Sequence, residues 1–271
     1  MRAWHNVARN VMLKLFGSGR SARGLPATEA GERVYAIGDV HGRLDLLRDV
    51  LRRIDDHSAG LPPAEATHII LLGDLIDRGS QSREVLRFVH SIQQKTDGIV
   101  ALLGNHEELM LKAIDKMPGA LDAWMRMGGR ATVRSFDLEP PAPEESSRDY
   151  ADRLRAAVPA ELLEWMRTLP LTASSGSYMF CHAGIRPGVP LRRQARTDLL
   201  WIRKEFLDDD TSHGKVVVHG HSIAADVEMR PNRIGIDTGA YRTGVLTALY
   251  LEGTEREIIA TPQETELPGD A

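Results

Sequence analysis

Five times along this chain a short apolar run gives way to a turn that combines glycine with Asp, Asn or His. The turns are GDVHG at Gly38 to Gly42, GDLIDRG at Gly73 to Gly79, GNHE at Gly104 to Glu107, HAG at His182 to Gly184 and HGHS at His219 to Ser222. Such repetition suits an open α/β sheet, because loops at the carboxyl ends of its strands line one crevice. Glycine serves these turns by tolerating positive φ and by letting backbone approach a bound ion or phosphate. Residues far apart in sequence thereby become neighbours.

Between the turns the hydrophobic period alternates. Val34 to Ile37 reads as a first strand, Leu44, Leu47, Leu51 and Ile54 mark a helix, and His68 to Leu72 reads as a second strand. A helix presenting Val85, Leu86 and Val89 leads to a strand over Ile99 to Leu103, and helical segments are expected from about Glu107 to Phe136. This repeated βαβ layout predicts an α/β fold with strands buried on both faces. Pro140 to Ser147 has turn composition and reads as an exposed connection, followed by a helix around Glu161 to Arg167. Strands at Tyr178 to Cys181, Lys215 to Val218, Arg233 to Ile236 and Val245 to Leu251 predict a mostly antiparallel or mixed sheet for the second half. The expected organisation is a basic extension over residues 1–30, one main domain over 31–260 and a polar tail over 261–271.

Residues Met1 to Gly24 hold Arg2, Arg9, Lys14, Arg20 and Arg23 with no acidic residue, and Trp4, Val7, Val11 and Leu15 recur at helical spacing. Such an arm suits contact with an anionic membrane surface or a partner protein; the plainer reading is a loosely ordered extension. No apolar run approaches the ~20 residues of a transmembrane helix. The single cysteine, Cys181, permits neither an internal disulfide nor a thiolate cluster, which points to the cytoplasm. A formal net charge of -4 argues against nucleic acid as a partner.

The turns offer Asp39, His41, Asp74, Asn105, His182 and His221, which together supply carboxylate, amide oxygen and imidazole without sulfur. Three imidazoles favour transition metals over calcium or magnesium, and six side chains exceed what one tetrahedral ion takes. The set suits two divalent ions sharing a carboxylate, manganese placed first, with iron or zinc as alternatives. Two close cations bring the pKa of a bridging water toward neutrality and clamp the oxygens of a phosphate under in-line attack. A phosphoryl group also needs cationic donors and an acid for its leaving oxygen. Arg78, Arg203 and His106 are the candidates, with Asp77 placed to hold the His106 ring.

In this order the five turns resemble the signature of the phosphoprotein phosphatase family, bacterial type, among the calcineurin-like metallophosphoesterases. The resemblance runs from about Val34 to Leu251 and includes WMRMGGRATVRSF at Trp124 to Phe136 and DLLWIRKEF at Asp198 to Phe206. It implies a catalytic domain built as a central two-sheet mixed β-sandwich flanked by helices. It also implies that Asp39, His41 and a bridging Asp74 hold one metal, and Asp74, Asn105, His182 and His221 the other. His221 rather than His219 is taken as ligand because the family's ligand follows the small residue of its GH pair. By the same resemblance His106 would protonate the leaving group, Asp77 would orient it, and Arg78, Arg203 and Asn105 would bind the phosphate.

The implied activity is hydrolysis of phosphorylated Ser or Thr on a protein or peptide. Relatives that carry the same turns and hydrolyse dinucleoside polyphosphates, such as diadenosine tetraphosphate, supply the alternative, and a catalytically silent binding scaffold supplies a second. Related nucleases and phosphodiesterases tend to carry GNHD and GHxH, where this chain has GNHE and HGHS. The tyrosine-bearing loop beside the site of the eukaryotic members has no evident counterpart. Outside the motifs, His5, His57, His68, His90 and His213 read as structural, Cys181 as a core thiol beside Met179 and Phe180, and Asp237 as part of a turn packing under the site.

Overall fold

The computed structural model describes residues 24–263; residues 1–23 of the basic extension expected over 1–30, and residues 264–271 of the tail expected over 261–271, lie outside the described residues. The first half runs β1 (Glu32–Ile37), α1 (Leu44–Ala59), β2 (Ala66–Leu71), α2 (Ser82–Gln93), β3 (Ile99–Ala101), α3 (Asn105–Ile114), α4 (Ala120–Trp124), α5 (Arg130–Ser135), α6 (Ser147–Ala157) and α7 (Ala160–Thr168). The second half runs β4 (Thr172–Ser175), β5 (Tyr178–Cys181), α8 (Arg196–Trp201), α9 (Lys204–Leu207), β6 (Val216–His219), β7 (Glu228–Met229), β8 (Arg233–Gly235), α10 (Ala240–Thr243), β9 (Thr247–Glu252) and β10 (Glu255–Ala260).

Side-chain alternation produces the layers. In β1, Val34 and Ala36 join an inner cluster with Ile70, Phe180, Val218 and Leu249, whereas Tyr35 and Ile37 join an outer cluster with Leu47, Ile54 and Val85. Both faces of the strand are therefore buried, as its unbroken apolar run requires. The outer face is covered by helices such as α1, whose Leu47, Val50 and Ile54 are fully buried. Each such side chain contributes about 1.5–3 kcal/mol by leaving water.

One sheet has the order β10-β9-β1-β2-β3 and the other β4-β5-β6-β8-β7. In the first, β1, β2 and β3 are parallel and the β9–β10 hairpin is antiparallel; in the second, β5, β6 and β8 are parallel between antiparallel β4 and β7. The fold is thus α/β, with two mixed sheets packed face to face and flanked by helices. Residues 26–28 join this core, since Pro26 O, Ala27 O and Thr28 take hydrogen bonds from Tyr178, Ser177 and Gly253.

Several elements depart from the periodicity. β3 stops at Ala101 because Leu103 N–H leaves the ladder for Pro170 O at 2.9 Å. The helical stretch begins at Asn105, not Glu107, and is broken into three pieces. Gly119 at φ 73° starts the second piece, and Gly128 at φ 123° interrupts the path before the third. β4, β10, α6, α8 and α9 carry no run that announced them, and β9 crosses back to the first sheet to pair with β1.

Candidate metal centre

The parallel strands of both sheets end at one edge of the sandwich, and the turns that leave them are laced together by backbone. His41 and Val40 N–H donate to Asp74 O at 2.8 and 3.1 Å, Gly42 N–H to Leu75 O at 2.8 Å, and Gly220 N–H to His182 O at 2.8 Å. Buried Glu107 completes the lacing. Its carboxylate accepts from the N–H groups of Asp74, Leu75, Ile76 and Gly104 at 3.0, 2.8, 3.2 and 2.9 Å. The resulting backbone is strained at the site itself. His41, Asp74, Asp77, Arg78 and His221 have φ of 45°, 47°, 75°, 68° and 63°, and among the described non-glycine residues only Lys116 and Asp137 share positive values. Each such residue costs roughly 1–3 kcal/mol, which the surrounding lattice of hydrogen bonds must hold in place.

His182 donates from Nδ1 to Leu72 O at 3.0 Å, so its Nε2 presents a lone pair. That lone pair faces Asn105 Oδ1 at 2.7 Å, His221 Nδ1 at 3.2 Å and Asp74 Oδ1 at 3.3 Å. Burial, the largest influence on each ring, lowers His182 and brings His221 to about 2 and His41 to about 3, so each ring is neutral with a single N–H, and the one proton of His221 can serve only one of the facing acceptors. Turning the Asn105 amide over would supply donors but would put its oxygen where Nδ2 now lies buried without a partner. His221 Nε2 is likewise buried and unpaired. A cation among the four acceptors satisfies them at once.

Two groups of such atoms exist among the described residues. His41, Asp74 and His106 form one, and Asp74, His182 and His221 the other, with the atoms of each within 4.8 Å of one another. Asp74 is common to both. Asp39 stands beside them, its oxygens accepting His221 N–H at 3.1 and 3.2 Å. Burial, then the neighbouring Asp237 and Asp74 carboxylates, raise the Asp39 carboxyl well above its usual range, a cost that adjacent cations would relieve. Carboxylate, imidazole and amide oxygen fit a pair of divalent ions.

On the other flank, His106 occupies the first turn of α3 and donates from Nδ1 to Asp77 Oδ2 at 2.6 Å. Burial alone would lower this imidazole, but Asp74 and Asp77 outweigh it and hold it above the ordinary value. Asp77 is fully buried and also accepts from Trp124 Nε1 at 2.8 Å and Thr132 Oγ1 at 2.5 Å. Arg78 donates to His41 Nε2 at 2.7 Å and to His106 Nε2 at 3.2 Å. The His41 nitrogen cannot serve a metal and Arg78 together, so an ion held there would release the guanidinium from His41.

Arg203 is the outlying member of the expected set. It is exposed and makes no side-chain hydrogen bond among the described residues, yet its charge contributes to lowering His182 and His221. Sequence reasoning missed Glu107 as a turn clamp, Trp124 and Thr132 as partners of Asp77, and Tyr241. The Tyr241 ring lies 4.8 Å from the Arg78 guanidinium carbon and 5.4 Å from the His41 ring, so a tyrosine does stand at the site. Its signal was the IDTGAY stretch, whose Asp237 lies beside Asp39 with Oδ2 buried and unpaired. Cys181 is inert, burial pushing its thiol up to about 12.

The Gly-Gly pair after Trp124 is explained by the same flank. A Cβ on Gly128 would lie 2.8 Å from Arg78 Cγ and 3.0 Å from Arg78 N, at a φ of 123° that L side chains rarely adopt. Gly128→Ala is expected to lower stability by roughly 1–3 kcal/mol and to raise KM more than it lowers kcat, because Arg78 must shift. Thermal unfolding with steady-state kinetics checks this, and an unchanged KM would remove Gly128 from the account.

Among known proteins, the chain is 34% identical over 166 residues to a symmetrical bis(5'-nucleosyl)-tetraphosphatase of Aromatoleum aromaticum, covering 60% of this chain and 49% of that one. It is 35% identical over 154 residues to a protein of the same name in Methylococcus capsulatus, covering 57% and 44%. The chain thus spans about half the length of the curated relatives it matches. A crystal structure named as a candidate diadenosine tetraphosphatase superposes with a TM-score of 0.59 at 20% identity, covering 88% of this chain and 99% of that one, a likeness of fold. These relatives overturn the expected Ser/Thr phosphoprotein phosphatase and its phosphoprotein substrate, because the similar curated proteins are named for a nucleotide substrate. No helix among the described residues is long and apolar enough to cross a membrane. The sequence profile of the calcineurin-like phosphoesterases matches residues 32–242, a span that holds every residue of the site just described, and the chain belongs to that family.

Proposed function

We propose that this chain hydrolyses bis(5'-nucleosyl) tetraphosphates at the middle of the phosphate chain, releasing two nucleoside diphosphates per water consumed. The observation that supports a metal-dependent phosphoesterase reaction is the set of acceptors around Asp74, Asn105, His182 and His221, flanked by Arg78 and His106. The nucleotide reading draws on relatives 30–35% identical that bear that name. Asp39, His41, Asp74, Asn105, His182 and His221 would hold two divalent ions, manganese, iron or zinc. When bound, such ions acidify water and neutralise charge on phosphoryl oxygens.

The chain's own residues do the rest. Arg78 and Arg203 would fix the phosphoryl oxygens, the first from the ring face of Tyr241 and the second from an exposed position whose charge is felt at His182 and His221. His106, its Nδ1 proton held by Asp77, would present Nε2 to the departing oxygen and, protonated there once Arg78 turns to the phosphate, would give that oxygen its proton. A carboxylate that is fully buried and held by three donors cannot swing away, so the ring it anchors keeps one orientation.

The test is product analysis. Manganese-loaded protein incubated with diadenosine tetraphosphate is expected to yield adenosine diphosphate as the sole nucleotide product, at a kcat/KM ~100-fold or more above that for a phosphoserine peptide. Release of adenosine monophosphate with triphosphate, or faster turnover of the peptide, overturns the proposal.

A further inference from the structure

Arg203 raises a question of support: it is exposed, it follows a helix of six residues, and no hydrogen bond of its own side chain aims it at the metal centre. The support lies in Glu108, the residue immediately after the GNHE motif. Glu108 is 4% exposed, and its carboxylate accepts from Arg196 Nε at 2.7 Å and Trp201 Nε1 at 2.9 Å. Those two donors are the first and last residues of α8, so one carboxylate fastens both ends of the helix. Lys112 Nζ adds a third contact, the second from a cation, at 2.9 Å.

Glu108 belongs to α3, the helix whose first turn carries Asn105 and His106. It therefore ties α8 to the same element that places the acid and a ligand. At the other side, Ala183 N–H donates to Leu199 O at 2.8 Å, joining α8 to the turn after His182. Trp201, held by Glu108, stands with its ring 6.3 Å from the His221 ring at 80°. Arg203 follows two residues later, as the last residue before α9. Two attachments of a short helix thus converge on the cluster, and Arg203 extends from its end.

We propose that Glu108 is a positioning residue that sets Arg203 for phosphate binding, acting through Arg196 and Trp201. The inference rests on the reading of Arg203 as a phosphate donor. It does not require the nucleotide to be the substrate. Removing the carboxylate leaves the half-buried Trp201 N–H and a helix end without their partner, and the Arg203 guanidinium then samples positions away from the site.

The experiment measures binding of inorganic phosphate to the manganese-loaded protein by calorimetry, in wild type, Glu108→Ala, Arg203→Ala and the double variant. Each single change is expected to weaken binding about 10-fold, with two metals retained by elemental analysis. The double variant is expected to bind no more weakly than Arg203→Ala alone, because Glu108 has nothing left to position. A purely structural Glu108 would instead give a double variant weaker by the product of the two effects, and that result overturns the proposal, as does unchanged binding in either single variant. If Glu108→Ala does not fold, Trp201→Phe keeps the ring, removes the N–H donor and completes the same cycle. Phosphate binding is read without turnover, so failure of the tetraphosphate as substrate would show separately.

Discussion

Asp74→Asn is expected to leave a folded protein that retains neither metal ion and to lower kcat/KM by more than about 1,000-fold, a loss of ~4 kcal/mol in transition-state stabilisation. The two oxygens of Asp74 serve different groups. Oδ1 faces His182 Nε2 at 3.3 Å, and Oδ2 faces His41 Nε2 at 3.6 Å and His106 Nε2 at 3.7 Å. Asparagine keeps one oxygen and puts an amide donor in place of the other, so one imidazole group gains a hydrogen bond where a cation would sit. The backbone tolerates the change, because Asn is among the side chains that accept the left-handed φ of 47° found here. Two readouts check it. Elemental analysis is expected to fall from two ions per chain toward none. Manganese at about 100 times its dissociation constant should stabilise wild type by ~2.7 kcal/mol for each ion bound, raising the melting temperature by roughly 5–10 °C per ion, and should leave the variant unmoved. Two retained ions, or an equal rise in melting temperature, would remove Asp74 from the bridging role.

The convergence of the candidate ligands was legible in the sequence because coordination demands particular side chains, and those side chains sit beside glycine in turns that follow apolar strands. The rule that strand ends converge brought Asp39, His41, Asp74, Asn105 and His182 together, whereas the choice of His221 over His219 also needed the family resemblance. Glu107 stood in a quoted motif, yet its role stayed hidden, since its partners are backbone N–H groups of a turn about thirty residues away. Trp124, Gly128, Gly129 and Thr132 were visible as a segment of the family but not as the packing around Asp77 and Arg78. Edge strand β4 reads TASS and α6 reads SRDYADRLRAA, and neither shows the apolar period that marks a buried element. The substrate was illegible for a chemical reason. The motif residues that could reach a ligand would address metal or phosphoryl oxygen, groups that a phosphoserine and a nucleoside tetraphosphate present alike, so the choice of protein over nucleotide had no residue to support it.

The chemistry of the two candidate leaving groups separates His106 as acid from His106 as metal support, and the geometry makes the distinction necessary. His106 pairs with Asp77 at 2.6 Å, the mark of an oriented acid, yet its Nε2 also belongs with His41 and Asp74 in a group able to hold an ion. Cleavage of a tetraphosphate expels a nucleoside diphosphate whose terminal phosphate has a pKa of about 6, so the leaving oxygen needs little help. Phenyl phosphate expels a phenol with a pKa of about 10, and protonation then matters. His106→Asn is therefore expected to reduce kcat on phenyl phosphate by ~100-fold or more while costing the tetraphosphate only about 10-fold, with metal content unchanged. An equal loss on both substrates together with a missing ion would instead assign His106 to metal binding. Equal loss with both ions present would show that Asp77 and His106 stabilise charge without transferring a proton. The unequal outcome alone fits an imidazole whose Nδ1 is fixed by a buried carboxylate and whose Nε2 delivers the proton.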